Sequence, residues 1–224
     1  LAPGYSMGEA LAFLEEQAVA SPEVLAVGYR GESQAFKETG GSIIVVFFLT
    51  ILLVYLVLAA QFESFVHPIT IITTVPLAVG GGIIGLALTG MTLNLYSQIG
   101  IVMLVGLAAK NGILIVEFAN QLRDEGLEIL DAIQQAAARR LRPILMTSIA
   151  TVFGAIPLAV AGGAGGAARS AIGVVIVFGV TLATLITLVL IPLIYARLAK
   201  FTGSPEAVSR RLAQEMEAQE RPSA

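Results

Sequence analysis

The chain has 224 residues, of which 56% are hydrophobic and 13% charged, and its mean hydropathy is +0.86. A soluble domain of this length has no use for so much apolar surface, so the composition excludes one and indicates a polytopic membrane protein. The absence of cysteine excludes a disulfide framework and thiol chemistry, a single histidine, His67, leaves no His/Cys metal cluster, and a net charge of −3 singles out no partner.

Residues 1–38 are polar enough to be soluble. Ser6 and Glu9 stand at capping-box spacing and predict a helix over Met7–Ala20, with Leu11, Leu14 and Ala18 on one face. Pro22 ends it, and Val24 to Tyr29 reads as a short strand. One helix and one strand are too little for an independent domain. The stretch reads as the end of a mixed α/β domain whose remainder lies upstream. No charged n-region, apolar core and cleavage pattern precedes Gly40, and the chain is read as a piece of a longer polypeptide.

Residues 39–200 form the membrane domain, with five apolar segments. The first two are about 42–60, free of charge, and about 69–88, opened by Pro68 and containing Pro76 and Gly80-Gly81-Gly82. Proline and glycine are tolerated in a membrane helix where neighbours cover the freed backbone. Thr89-Gly90-Met91-Thr92 turns the chain into the third span, about 95–119, which carries Lys110 near its centre. A lysine at that depth costs roughly 2.5–3.5 kcal/mol on insertion scales, which marks it as functional unless it merely pins two helices together. Ala108 and Gly112 have the small-xxx-small spacing of close helix contact, and Gly106 offers a further gap. Glu117, seven residues on, reads as a solvated carboxylate near the membrane edge.

Over 123–141 the pattern changes. Leu127, Leu130, Ile133, Ala137 and Leu141 recur at steps of three and four, which predicts an amphipathic helix on the membrane surface. Pro143 starts the fourth span, about 144–161, which has Thr147, Ser148 and Thr151 near its beginning. Gly162 to Ser170 reads as a flexible loop, lacking the pattern of a phosphate-binding turn. The fifth span is about 171–195, and 201–224 is a charged tail. Arg123, Arg139, Arg140 and Arg142 cluster in one connection, while Arg197, Lys200, Arg210, Arg211 and Arg221 follow the last span. The opposite side has only Arg30, Lys37 and Arg169, so the positive-inside rule puts the C-terminus in the cytoplasm and residues 1–38 outside.

Gly-Leu-Ala-Ala-Lys-Asn-Gly-Ile-Leu-Ile-Val-Glu-Phe-Ala (106–119) resembles the tenth transmembrane helix of resistance–nodulation–division (RND) efflux pumps of the hydrophobe/amphiphile (acriflavine-resistance) branch. Arg-Leu-Arg-Pro-Ile-Leu-Met-Thr-Ser (140–148) is similar to the start of their eleventh, Ala-Ala-Gln-Phe-Glu-Ser-Phe (59–65) to the end of their eighth, and Val75-Pro76-Leu77 to a point in their ninth. The heavy-metal branch differs at the lysine position. The resemblance implies an all-α bundle holding the eighth to twelfth spans of a twelve-span transporter, with 1–38 as the end of a periplasmic porter-type α/β domain. It implies a proton-driven multidrug exporter of the inner membrane, not an enzyme, with no cofactor, no metal and no nucleic-acid partner. Its partners would be a second and third copy in a homotrimer, a periplasmic adaptor and an outer-membrane channel. In that family the helix-ten lysine pairs with two aspartates on helix four, supported by a helix-eleven threonine and an arginine. These roles carry over to Lys110, Thr147 and Arg140, and Asn111 follows the lysine without an assigned role. The helix-four aspartates belong to an N-terminal half that this chain lacks. Other readings are an RND exporter of lipid or other cargo, an intramembrane enzyme using Lys110 as base or nucleophile, and a structural membrane anchor.

Overall fold

The computed structural model describes residues 7–21, 24, 26–39, 42–163 and 165–201. Over these the chain forms α1 (Met7–Ala20), α2 (Glu32–Thr39), α3 (Ser42–Phe62), α4 (Val66–Ile72), α5 (Thr74–Leu88), α6 (Leu95–Asp124), α7 (Ile129–Ala159) and α8 (Gly166–Leu198), followed by a 3-10 turn at Ala199–Phe201. Among the described residues five stretches are long and apolar enough to cross a membrane: Ile43–Phe62, Val66–Leu88, Leu95–Asp124, Ile129–Ala159 and Gly166–Leu198.

The helix expected over Met7–Ala20 is present, although its proposed cap, Ser6, lies outside the described residues. The strand expected at Val24–Tyr29 is not formed among the described residues there, which are irregular. A lone strand has no neighbour to satisfy its amides and carbonyls, so strand propensity alone cannot hold it. Instead α2 folds back on α1: Lys37 forms an ion pair with Glu15, the Tyr29 hydroxyl donates to the same carboxylate, and the Lys37 ammonium lies 5.1 Å from the Tyr29 ring centre.

α3 shows its apolar side chains to the outside, Phe48, Leu52 and Leu56 among them, and among its described side chains buries only Leu58 and Phe62. Such a helix suits hydrocarbon as a solvent. The second span is interrupted at Thr73. The hydroxyls of Thr73 and Thr74 bond the carbonyls of Ile69 (2.8 Å) and Ile71 (2.7 Å) there, just before Pro76, which cannot donate. Gly90 takes φ +68° in the turn, and Asn94 caps α6 by a reciprocal capping box with Ser97, both side chains bonding at 2.8 Å.

The connections after α6 and after α7 each correct one expectation. Arg123 and Asp124 close α6, residues 125–128 turn the chain, and α7 then runs unbroken from Ile129 through Pro143 to Ala159. There is thus no separate surface helix over 123–141. Its second part is the first half of a membrane-length helix, because α6 and α8 already supply a core for it to pack against. The buried residues of that half are Ala132, Ile133 and Ala136, whereas Leu130 and Leu141 stay exposed. Likewise the loop expected over Gly162–Ser170 ends at Gly165, in φ +69°, and α8 begins at Gly166.

α8 is the hub, packing along α5, α6 and α7. Where it meets the end of α7, a methyl on Gly173 would stand 2.2 Å from the Ala159 amide nitrogen, so only glycine permits that approach. Two apolar clusters fill the bundle. One surrounds Ile115, Val116, Ile133 and Ile191, the other Leu104, Val175 and Val180. Ala108 belongs to the second and Ala109 to the first, so the clusters meet just before Lys110.

Candidate functional site

α6 has 30 residues, about 45 Å at the helical rise, and Lys110 lies roughly 22 Å from each end. The lysine thus lies near the middle of α6. The helix is apolar and buried on one side through Val105, Ala108, Asn111, Gly112 and Ile115. Lys110 points elsewhere. It is half-buried and shares a face with Met103 and Gly106, both exposed, and with Glu117, which is half-buried. Among the described residues no carboxylate lies within ion-pair distance of its ammonium. Gly106, expected to mark a close contact, has open space where a methyl would stand, whereas Gly112 is tightly packed.

Asn111, the neighbour without an assigned role, is almost fully buried. Its amide nitrogen donates to Thr184 Oγ1 at 3.0 Å and to Ser148 Oγ at 3.4 Å, and the Thr184 hydroxyl donates to Ser148 at 3.0 Å. One residue from each of α6, α7 and α8 thus meets in a closed triangle.

This contact also fixes the level of α7. Asn111 stands opposite Ser148, and the Phe118 ring lies 4.6 Å from the Arg140 guanidinium. Helices joined by a short turn with that register are antiparallel, which puts Thr147 within about 3 Å of the depth of Lys110. Arg140 is about 12 Å further toward the α6–α7 turn by the same rise. So the structure brings Lys110, Asn111 and Thr147 to one level and leaves Arg140 two turns away. The Thr147 hydroxyl donates to the Ile144 carbonyl at 3.1 Å, which leaves its oxygen able to accept. Arg140 is held by the Phe118 face, an aromatic cation contact, with its Nε buried and without a hydrogen-bond partner among the described residues.

A second polar cluster escapes a sequence reading. At the far end of α6 the Tyr195 hydroxyl donates to Asn120 Oδ1 at 2.6 Å and accepts from Arg123 at 3.3 Å. The His67 ring stacks on Tyr195 at 5.6 Å between centres and meets the edge of Phe62 at 6.0 Å. The signal available was polarity at buried helical spacing: Thr184, Thr187 and Tyr195 recur on one face of α8 within an otherwise apolar run. Among the described residues no group of His, Asp and Glu could hold a metal ion. What this arrangement offers chemically is an ammonium, a group with three donors and no acceptor, midway along an apolar helix and on a face that α3 to α8 leave open.

Residues 1–199 match the AcrB/AcrD/AcrF family. Among individual proteins, the chain is 43% identical over 163 residues to the toluene efflux pump membrane transporter TtgB of Pseudomonas putida, covering 73% of this chain and 16% of that protein. The solvent-resistant pump membrane transporter SrpB of Pseudomonas putida is 43% identical over 164 residues, with the same coverage. An uncharacterized transporter of Haemophilus influenzae is 42% identical over 170 residues, 72% of this chain and 16% of that protein. The chain therefore spans about a sixth of the length of the curated relatives it matches. A match over nearly its whole length, carried by the same helices that hold Lys110 and the three-helix triangle, means that the chain belongs to the AcrB/AcrD/AcrF family of RND efflux pump membrane transporters.

Proposed function

We propose that this chain is the eighth-to-twelfth-span portion of a proton-driven exporter of hydrophobic compounds, and that Lys110 is the cationic side of its transmembrane proton relay. The observation that carries the proposal is the position of Lys110: mid-helix in α6, half-buried, and without an ion-pair partner among the described residues. A cation at that depth is costly unless something outside α3–α8 answers it. The relatives are about six times as long as the matched stretch, which leaves ample chain to supply carboxylates, in keeping with two aspartates on a fourth helix.

Such a carboxylate pair beside Lys110 titrates as one coupled group. With the carboxylates ionised, the ammonium is held by them. A proton arriving from the periplasm neutralises one, and the ammonium turns to another acceptor, for which the Thr147 oxygen at the same depth is suited. That exchange gives a two-state element biased by the proton gradient. Arg140, two turns away on the α6–α7 turn side, sets the potential there rather than contacting Lys110 directly. Residues 1–38 are the end of a periplasmic porter-type α/β domain, residues 201–224 a cytoplasmic tail, and the working form is a homotrimer in the inner membrane joined to a periplasmic adaptor and an outer-membrane channel. The relatives' names support hydrophobic compounds as cargo: one is named for toluene efflux, another for solvent resistance.

The test is Lys110→Met in the full-length transporter reconstituted in vesicles, with export and proton flux read together. Methionine keeps the stem and folds well in lipid, so export and coupled proton flux should both fall to background at normal protein abundance. Near-normal coupled export would leave Lys110 as a pin between helices.

A further inference from the structure

We infer, on the footing of the relay role proposed for Lys110, that Asn111, Ser148 and Thr184 are its positioning residues: a hydrogen-bonded clasp of α6, α7 and α8 that aims the lysine and keeps Thr147 at its depth. Asn111 and Ser148 each stand next in sequence to a relay residue, Lys110 on α6 and Thr147 on α7. The bond between them therefore ties the two relay positions together through the backbones that carry them.

Three features argue for positioning rather than simple packing. First, the clasp is polar where the neighbouring contacts are apolar, Ala108 and Leu104 on one side and Ile115 on the other. Apolar side chains of the same volume would hold the helices together in a membrane without the cost of burying an amide. Hydrogen bonds, unlike apolar contacts, fix the rotation of each helix about its own axis. Second, Gly112 lets α6 lie directly against Ile191 and Ile71, so the Asn111–Gly112 side is drawn in and the Lys110 side is necessarily turned out. Third, the Asn111 amide spends its nitrogen on the two hydroxyls, while its Oδ1 is buried and accepts from no described group. A half-satisfied amide is retained at a cost of about 1–3 kcal/mol, and that cost is understandable where orientation matters more than stability.

The discriminating pair is Thr184→Val against Thr184→Ser, made in the full-length transporter beside Lys110→Met. Valine keeps the volume and removes the hydroxyl; serine keeps the hydroxyl and leaves a gap. If Thr184 only packs, serine is the worse variant, because the gap costs stability. If it positions Lys110, valine is the worse: turnover should fall about tenfold, as misplaced reacting groups do, with KM for the exported compound unchanged, while serine stays within about twofold of the parent. Ser148→Ala should repeat the valine result, and Asn111→Leu should do so more strongly. Should Asn111→Leu not fold, the threonine pair decides alone. Valine at parental turnover, or serine worse than valine, overturns the clasp while a dead Lys110→Met leaves the relay standing. An active Lys110→Met overturns both.

Discussion

Gly112 and Ile191 touch where α6 crosses α8: a methyl on Gly112 would stand 2.7 Å from Ile191 Cδ1 and 3.1 Å from Ile71 Cγ2. Both isoleucines are fully buried, so neither has free space to retreat into. This contact closes the bundle immediately beside the Asn111 triangle, and the distance between α6 and α8 at the level of Lys110 depends on it.

Gly112→Ala should therefore destabilise the bundle by about 1–3 kcal/mol, the usual cost of an extra methyl in a filled core. Ile191→Val removes the Cδ1 atom that the new methyl meets. The double variant should recover a good part of the loss, giving a favourable coupling term that two unrelated sites would lack. Thermal unfolding in detergent of the two single variants and the double checks this. Simple additivity would mean that the contact does not govern the approach of the helices.

What the sequence made legible was set by period and composition. Lys110 is evident because a charge in a long apolar run has few innocent explanations, and the apolar runs themselves locate all five spans. Three things were not legible. The end of the amphipathic segment was misplaced because Pro143 normally starts or breaks a helix, yet in a bundle its missing hydrogen bond is covered, so α7 passes straight through. The triangle of Asn111, Ser148 and Thr184 joins residues 37 and 73 positions apart, and no local pattern encodes such a meeting. The irregular path at residues 24 and 26–30 shows the opposite failure: Val24 and Tyr29 have the right propensity, but no strand lies beside them among the described residues.

The orientation inferred from arginine and lysine placement is open to a direct check, since the chain has no cysteine. Single cysteines at Ser64 and Glu128 should react with a membrane-impermeant maleimide only from the cytoplasmic side. Cysteines at Ser33 and Ala167 should react only from the periplasmic side. The reverse pattern would invert the proposed direction of proton entry and with it the relay scheme.

The contact between α1 and α2 should depend on pH at both extremes. Lys37, then Tyr29, hold the Glu15 carboxyl below its ordinary value of 4.5, and Glu15 in turn raises Lys37 above its ordinary 10.5. For Glu15 the folded pKa is the lower one, so its contribution is complete above the unfolded value and disappears as pH falls through the folded value. For Lys37 the folded pKa is the higher one, so its contribution is complete below the unfolded value and disappears as pH rises through the folded value. All three groups lie at the surface, where water and salt screen them, so the effect stays local. Spin labels at Phe13 and Gly28 should give a narrow distance distribution near neutral pH that broadens in acid and in strong alkali. In Glu15→Gln that pH dependence should vanish. A distribution as narrow in acid as at neutrality would show that the contact does not rest on the ion pair.

Tyr195 and Asn120 provide a test of how the far end of α6 is fastened to α8. Tyr195 is fully buried, and its hydroxyl gives the Asn120 side chain its only hydrogen bond among the described residues, where the buried Asn120 amide nitrogen has no partner. Tyr195→Phe removes that bond and takes an acceptor from Arg123, leaving a buried amide with neither end satisfied. The loss should be about 1–3 kcal/mol, because an orphaned polar group costs more than the bond it made. Asn120→Leu alone strands the tyrosine hydroxyl hydrogen in the same way. Replacing both partners removes the orphan along with the bond, so Tyr195→Phe with Asn120→Leu should cost less than the sum of the two by about 1–2 kcal/mol. His67 supplies an internal standard: it stacks on the ring, which phenylalanine retains, so Tyr195→Phe should leave that stacking intact. Unfolding midpoints for the four proteins, taken with one detergent and one salt concentration, give the coupling directly. Strict additivity would place the α6–α8 attachment in the apolar contacts around Ile191 and not in the hydrogen bond.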